Sequence, residues 1–223
     1  EIREKALGRE HPHVGTSLNN LGVLYATRGR SAEAEPVYRR ALAIAEKALG
    51  PEHPQVATSL NNLALFHVTQ GRHAEAEPLS MRALAIDEKA LGAEHPSVAT
   101  DLNNMGLLYA SQGDFERAEP VYRRALAIRE KVLGPEHPDV ASTLTNLAVL
   151  RHEQGKRREA VFLYRRACEI REKAFGPEHP QVAASLENYA ALLRDMNYQR
   201  MAAALEARAE AIRAKLTQPT PMK

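Results

Sequence analysis

Five histidines occupy one recurring place in this chain: His11, His53, His95, His137 and His179 each stand directly before a proline. Imidazole is a common zinc ligand, so a metal centre is the first chemistry such a set raises. The spacing argues against it. Successive members are 42 residues apart, whereas zinc ligands must converge on one point about 2 Å from the ion. A role at helix starts fits the pattern instead, because a proline in the first helical position loses nothing by lacking an N–H. His67 falls where Tyr25 packs in the preceding unit and is read as a satisfied core residue, while His73 and His152 read as surface or groove residues with nothing close in sequence to complete a site. No metal and no cofactor is expected.

Catalytic chemistry finds no better footing. Cys168 takes an apolar packing position shared with Leu42 and Leu126, where a buried thiol behaves as a small hydrophobe. No glycine-rich phosphate loop is present. Carboxylates fall in pairs such as Glu35 with Arg39 and Glu119 with Arg123, ordinary i,i+4 neighbours on an outer helix face. These residues point to no enzyme. Composition narrows the field further: 30 basic against 28 acidic side chains, a formal charge of +2, give no reason to expect nucleic acid or an anionic membrane. No apolar run is long enough to span a bilayer. A single cysteine permits no intrachain disulfide, which favours a reducing, cytoplasmic setting. The opening "EIREKALG" matches the end of a repeat, so the natural N-terminus is expected to lie upstream.

What positions these residues is a repeat. The stretch "LGPEHPQVATSLNNLA" beginning at Leu49 has counterparts at Leu7, Leu91, Leu133 and Phe175, and Gly8, Gly50, Gly92, Gly134 and Gly176 keep a period of 42 residues. Self-similarity at such a period marks stacked supersecondary units. Within the first unit Val14, Leu18, Leu21 and Tyr25 recur at helical spacing up to Gly29. Ser31 is placed to cap a second helix, whose inward face is Ala34, Tyr38, Ala41, Leu42 and Ile44 and whose end is Gly50, suited to a left-handed cap. Pro36, Pro78 and Pro120 sit near the starts of second helices, where a lost hydrogen bond is tolerable. Small residues at Gly22, Ala64, Gly106, Ala148 and Ala190 face Ala34, Ala76, Ala118, Ala160 and Ala202, so the paired helices should pack closely.

The order Leu18, Leu21, Gly22, Tyr25, Gly29, Ala34, Tyr38, Ala41 resembles the tetratricopeptide repeat, and the longer joint resembles the 42-residue variety found in kinesin light chains. The resemblance implies an all-α fold, a right-handed α-α superhelix of five helical hairpins, forming one solenoid over 1–217. The repeats fall at 8–49, 50–91, 92–133, 134–175 and 176–217, with 1–7 the remnant of a preceding helix and 218–223 a tail. It also implies an interaction scaffold whose first helices line a concave groove for peptides or partner domains. In the fifth unit Glu206 and Glu210 replace Tyr38 and Leu42, giving the last helix the polar face that a terminal repeat needs.

A wheel of the first helix sets apart a second stripe: Thr16, Asn20, Val23, Thr27, then Thr58, Asn62, Leu65, Thr69, then Thr100, Asn104, Leu107, Ser111. The fourth unit reads Ser142, Asn146, Val149, Glu153 and the fifth Ala184, Asn188, Ala191, Asp195. Asparagine is a weak helix former, so its return at one position of all five units asks for a reason. Two roles fit. The carboxamides hold the backbone of an extended peptide, or they bond neighbouring helices and set the spacing of repeats. Asn19, Asn61 and Asn103 run beside them and give way to Thr145 and Glu187, a pattern that suits variable contacts. Glu153, Glu187 and Asp195 gather acidity in the last two units. A partner segment is therefore expected to lay apolar side chains over Val23, Leu65 and Leu107 and a basic residue near the acidic end.

A protein or peptide partner is the leading expectation. Its rivals are a self-association module pairing through the N-terminal end, and a recruiting arm of a longer effector protein. An RNA-binding solenoid is disfavoured by the charge balance and the stripe residues.

Overall fold

A computed structural model of the protein describes residues 2–217, with side chains from 5 to 215; the expected tail at 218–223 lies outside the described residues. Among the described residues there are eleven α-helices and no strand. They are α1 (Ile2–Leu7), α2 (Pro12–Thr27), α3 (Ser31–Leu49), α4 (Pro54–Thr69), α5 (His73–Leu91), α6 (Pro96–Ser111), α7 (Phe115–Leu133), α8 (Pro138–Glu153), α9 (Arg157–Phe175), α10 (Pro180–Asp195) and α11 (Gln199–Thr217). The chain divides into two compact units at Val121 and Tyr122, inside α7. In the first, α2 pairs with α3 and α4 with α5, and α6 packs on α4 and α5; in the second, α8 pairs with α9 and α10 with α11.

The recurring histidines start helices. His11 is extended (φ −72, ψ 138), and its Nδ1 accepts from the His13 N–H at 3.2 Å while Pro12 takes the first helical position. His53, His95, His137 and His179 repeat the bond at 3.1 to 3.2 Å. The imidazole thus does the work usually given to Ser or Asp, satisfying one orphan N–H of the first turn.

The first helices end in a two-bond C-terminal motif. Gly29, at φ +70, donates to Ala26 O at 3.0 Å and Arg30 N donates to Tyr25 O at 2.9 Å, the Schellman arrangement that closes the last carbonyls. In the fifth repeat Asn197 takes the glycine's place at φ +64, as the residue after glycine best suited to that region. The expected cap at Ser31 is corrected. Ser31 is the first helical residue, Arg30 is the N-cap, and no side chain caps α3. The cap position lies one residue earlier, and only in the third repeat does it hold a suitable acceptor: Asp114 Oδ1 receives the Arg117 N–H at 3.1 Å. Gly50 also departs from the expected left-handed helical cap, with φ 88 and ψ 157, a region essentially closed to any residue with a Cβ.

Close pairing follows from the small residues. Ala34, Ala76, Ala118 and Ala160 are wholly buried. A Cβ on Gly22 would stand 2.6 Å from the Tyr38 ring, so the tyrosine occupies the space that the glycine leaves. Around these contacts Val56, Leu60, Ala83 and Ile86 form one core cluster, and Val182, Leu186, Ala209 and Ile212 another. Burying each such Leu or Ile contributes about 1.5 to 3 kcal/mol. On α11 Ala202, Ala209 and Ile212 are buried, while Glu206 is half-buried and paired with Arg194 and Glu210 is exposed, so these two positions are polar where Tyr38 and Leu42 are apolar.

Candidate functional site

In the first unit the stripe lies on α2, α4 and α6, with α2 packed on α4 and α4 on α6. Thr16, Asn20, Val23, Thr27, Thr58, Leu65, Thr69, Thr100 and Ser111 are exposed, and Asn62, Asn104 and Leu107 are half-buried. Val23 and Leu65 keep 45% and 38% of their surface in solvent, a cost that the hydrophobic effect would relieve under a partner. The hydroxyls are turned inward on their own helices: Thr16, Thr58 and Thr100 donate to Pro12, Pro54 and Pro96 O at 3.3 to 3.4 Å. Gln55 Nε2 ties Thr16 Oγ1 to α4 at 2.7 Å, and His73 Nε2 meets Ser111 Oγ at 3.1 Å. Among the described residues Asn20, Asn62 and Asn104 make no hydrogen bond through their carboxamides.

The repeat lock resides one residue earlier, which overturns the reading of Asn19 and Asn61 as variable contacts. Both are buried, at 5% and 8% exposure. Asn19 Nδ2 donates to Ser59 Oγ at 2.9 Å, and Asn61 Nδ2 donates to Asp101 Oδ1, each bond reaching the equivalent helix of the next repeat. A step of one residue turns a helical side chain by about 100°. That turn carries one asparagine row into the interface and leaves the next at the surface.

In the second unit Val149, Glu153 and Asn188 are exposed and Asn146 is half-buried. The acidity expected there is already answered. Asp195 pairs with His152 Nε2 at 3.0 Å and accepts from Arg157 Nε at 2.7 Å, and these bonds, His152 first, hold its carboxyl below the usual range. Glu187 is clasped by Arg213 through two bonds of 2.6 and 2.7 Å, and its carboxyl is likewise lowered. Of the three, Glu153 alone has no side-chain partner among the described residues, so the ground for expecting a basic partner residue shrinks to one carboxylate. Two arginines that sequence reasoning passed over do the locking: Arg129 Nη1 donates to Thr143 Oγ1 at 2.6 Å, and Arg171 reaches Ser185, Thr145 and Ser142. Burial holds both guanidiniums below their usual pKa. Their signal was present, since Arg129, Arg171 and Arg213 recur at one repeat position.

Among the described residues one group could hold a metal by geometry. Ligand atoms of Glu35, His67 and Glu75 lie within 4.8 Å of one another. Arginines already supply the positive charge there: Arg72 reaches Glu35 at 2.8 Å and Glu75 at 3.8 Å, and Arg39 reaches Glu35 at 2.7 Å. His67 is buried as expected but is not satisfied, because its Nδ1 meets no partner among the described residues and Nε2 stands 3.9 Å from Glu75. Cys168 is buried, and desolvation pushes its thiol up to about 11, far from a reactive thiolate.

A family model described as tetratricopeptide repeat matches residues 1–47, 29–89, 55–131 and 103–173. Two solved structures are similar. One, from Podosopora anserina, is described by its kinesin light chain nearly identical TPR-like repeats; it shares 29% identity over 94% of this chain and 99% of that one, with a TM-score of 0.70. The other, BtubC (BKLC) from P. vanneervenii, shares 28% identity over 95% of this chain and 85% of that one, with a TM-score of 0.75. No curated protein matches the chain. Among the described residues no helix is long and apolar enough to cross a membrane.

Proposed function

We propose that this chain, which belongs to the tetratricopeptide repeat family, binds a partner protein by holding an extended segment along α2, α4 and α6. Repeats of this fold generally mediate protein–protein interaction. The observation that carries the reading is the contrast between the two asparagine rows: Asn19 and Asn61 are consumed inside the interface, while Asn20, Asn62 and Asn104 keep their carboxamides uncommitted beside Val23, Leu65 and Leu107. A carboxamide offers donors and an acceptor, so a row of them can pair with peptide N–H and C=O groups whatever the side chains. The adjacent apolar row covers side chains of the same segment. Binding without catalysis is the activity proposed.

Peptides selected on the protein from a random display library provide the test. Replacing Asn20, Asn62 and Asn104 together by alanine should weaken their affinity by about 1.5 to 4.5 kcal/mol, at 0.5 to 1.5 per lost bond if the effects add. The melting temperature should hold, because no internal hydrogen bond is removed and alanine is the better helix former. Unchanged affinity would overturn the reading.

A further inference from the structure

Asp87 of α5 and Asp101 of α6 are 4% and 1% exposed and lie within hydrogen-bonding reach of each other. Asp101 Oδ1 accepts from Asn61 of α4. Asp87 Oδ1 and Asp101 Oδ2 are buried and unpartnered among the described residues. The other charged groups acting on the pair are Glu88 of α5, which adds repulsion at Asp101, and His95 at the start of α6, which acts on Asp87. No guanidinium or ammonium bonds either carboxyl among the described residues. In the next two repeats the same two positions, 14 residues apart, hold a donor and an acceptor: Arg129 gives to Thr143 and Arg171 to Ser185. Two ionised carboxylates have no donor to offer, and a buried unpaired oxygen is costly.

We propose that Asp87 and Asp101 share one proton, which supplies the missing donor and makes the α4–α5–α6 junction a pH-responsive lock. The proton stays covalently bound to one Oδ and hydrogen-bonded to the other, so the two unpartnered oxygens satisfy each other and one negative charge leaves the interior. Burial raises both carboxyls; at Asp87 it outweighs His95 and the hydrogen bond to Asp101, and at Asp101 it outweighs the Asn61 hydrogen bond and is joined by repulsion from Asp87, pushing that group up to about 7. An acid raised in the folded state binds more protons folded than unfolded. Its stabilisation is therefore complete below about pH 4, the unfolded value, and is lost as pH rises through about 7. Asn61 and Asp101 share α4 and α6 with Asn62 and Asn104, but the lock stands whether or not those two bind a peptide.

Carboxyl 13C NMR on the whole chain should find one titration in the Asp87/Asp101 pair near neutrality; both carboxyls titrating below about pH 5 would overturn the proposal. Asp101→Asn keeps the acceptor for Asn61 and carries a permanent donor toward Asp87, so it mimics the protonated pair at every pH. Relative to that variant, the wild-type melting temperature should fall by on the order of 5 °C between pH 5 and pH 8, and Asp87→Asn should behave alike. An equal difference at both pH values would count against the shared proton. So would a calcium-induced rise in wild-type melting temperature at pH 8 that Asp101→Asn abolishes, since a cation would then be the natural occupant.

Discussion

Between α2 and α4 the buried polar link is a carboxamide giving to a hydroxyl, Asn19 to Ser59 across 40 residues, whereas between α8 and α10 the hydroxyl of Ser185 receives from a guanidinium, Arg171, 14 residues before it. The hydroxyl keeps its repeat position, and the donor moves from the first helix of the hairpin to the second. A carboxamide is short and neutral and reaches one acceptor. Arg171 spans three oxygens, on Ser185, Thr145 and Ser142, and carries its charge into a partly desolvated place. In these buried links the first unit uses short neutral donors, Asn19 and Asn61, and the second long charged ones, Arg129 and Arg171.

The sharpest way to break the comparison is to remove one donor from each side. Arg171→Ala should cost about 1.5 to 3 kcal/mol in urea unfolding, as expected for hydrogen bonds from a charged group, with Asn19→Ala costing about 1. Equal losses would mean that the guanidinium's reach adds nothing. Next in size is the pair of neighbours Asn61 and Asn62. Asn61→Ala strips a buried bond to Asp101 and should cost about 1 to 2 kcal/mol, while Asn62→Ala should stay within about 0.5. Circular dichroism melts of both variants check this.

A smaller effect separates the repeats by pH. Desolvation and then Arg72 hold His67 below its usual pKa, so the unfolded chain binds the extra proton. Its contribution is complete above about pH 6.5 and is lost as pH falls through the lowered value. His67→Tyr, which restores the residue of the first and third repeats, should reduce the acid loss below pH 6 by about 1 kcal/mol. Smallest is Gly15→Ala. Its Cβ would meet Ala41 O at 3.4 Å, ordinary contact, and alanine already fills this position at Ala57, Ala99, Ala141 and Ala183. The substitution should raise stability by about 0.5 to 1 kcal/mol, read as a higher urea midpoint.

The fold was legible because it is written in local terms that recur from repeat to repeat: the histidine before proline and the alanine at the crossing in all five, the glycine after the first helix in four, each acting within a few residues. Ser31 misled by a single position, since serine favours the N-cap in general and nothing local distinguishes cap from first turn. The stripe's exposure could be read from a wheel. What the stripe residues bond could not, because the partners lie far along the chain: Arg213 finds Glu187 across 26 residues and His152 finds Asp195 across 43. Asn19 and Asn61 were misread for a related reason. Their replacement by Thr145 and Glu187 looks like drift until Arg171 and Arg213 are seen arriving to serve the new residues.

The fixed offsets of these bonds make a repeat a removable cassette. If Leu49 were spliced to Gly92, with 42 residues cut away, Asn19 would face Asp101 as Asn61 now does, and Arg117 would stand before Glu35 in place of Glu77. Ala45 would then lie opposite Asp101 where Asp87 lay. The shortened protein would retain its joints and lose its carboxyl pair, so a deletion written in whole repeats could change how the molecule answers acidity without rewriting a single remaining codon.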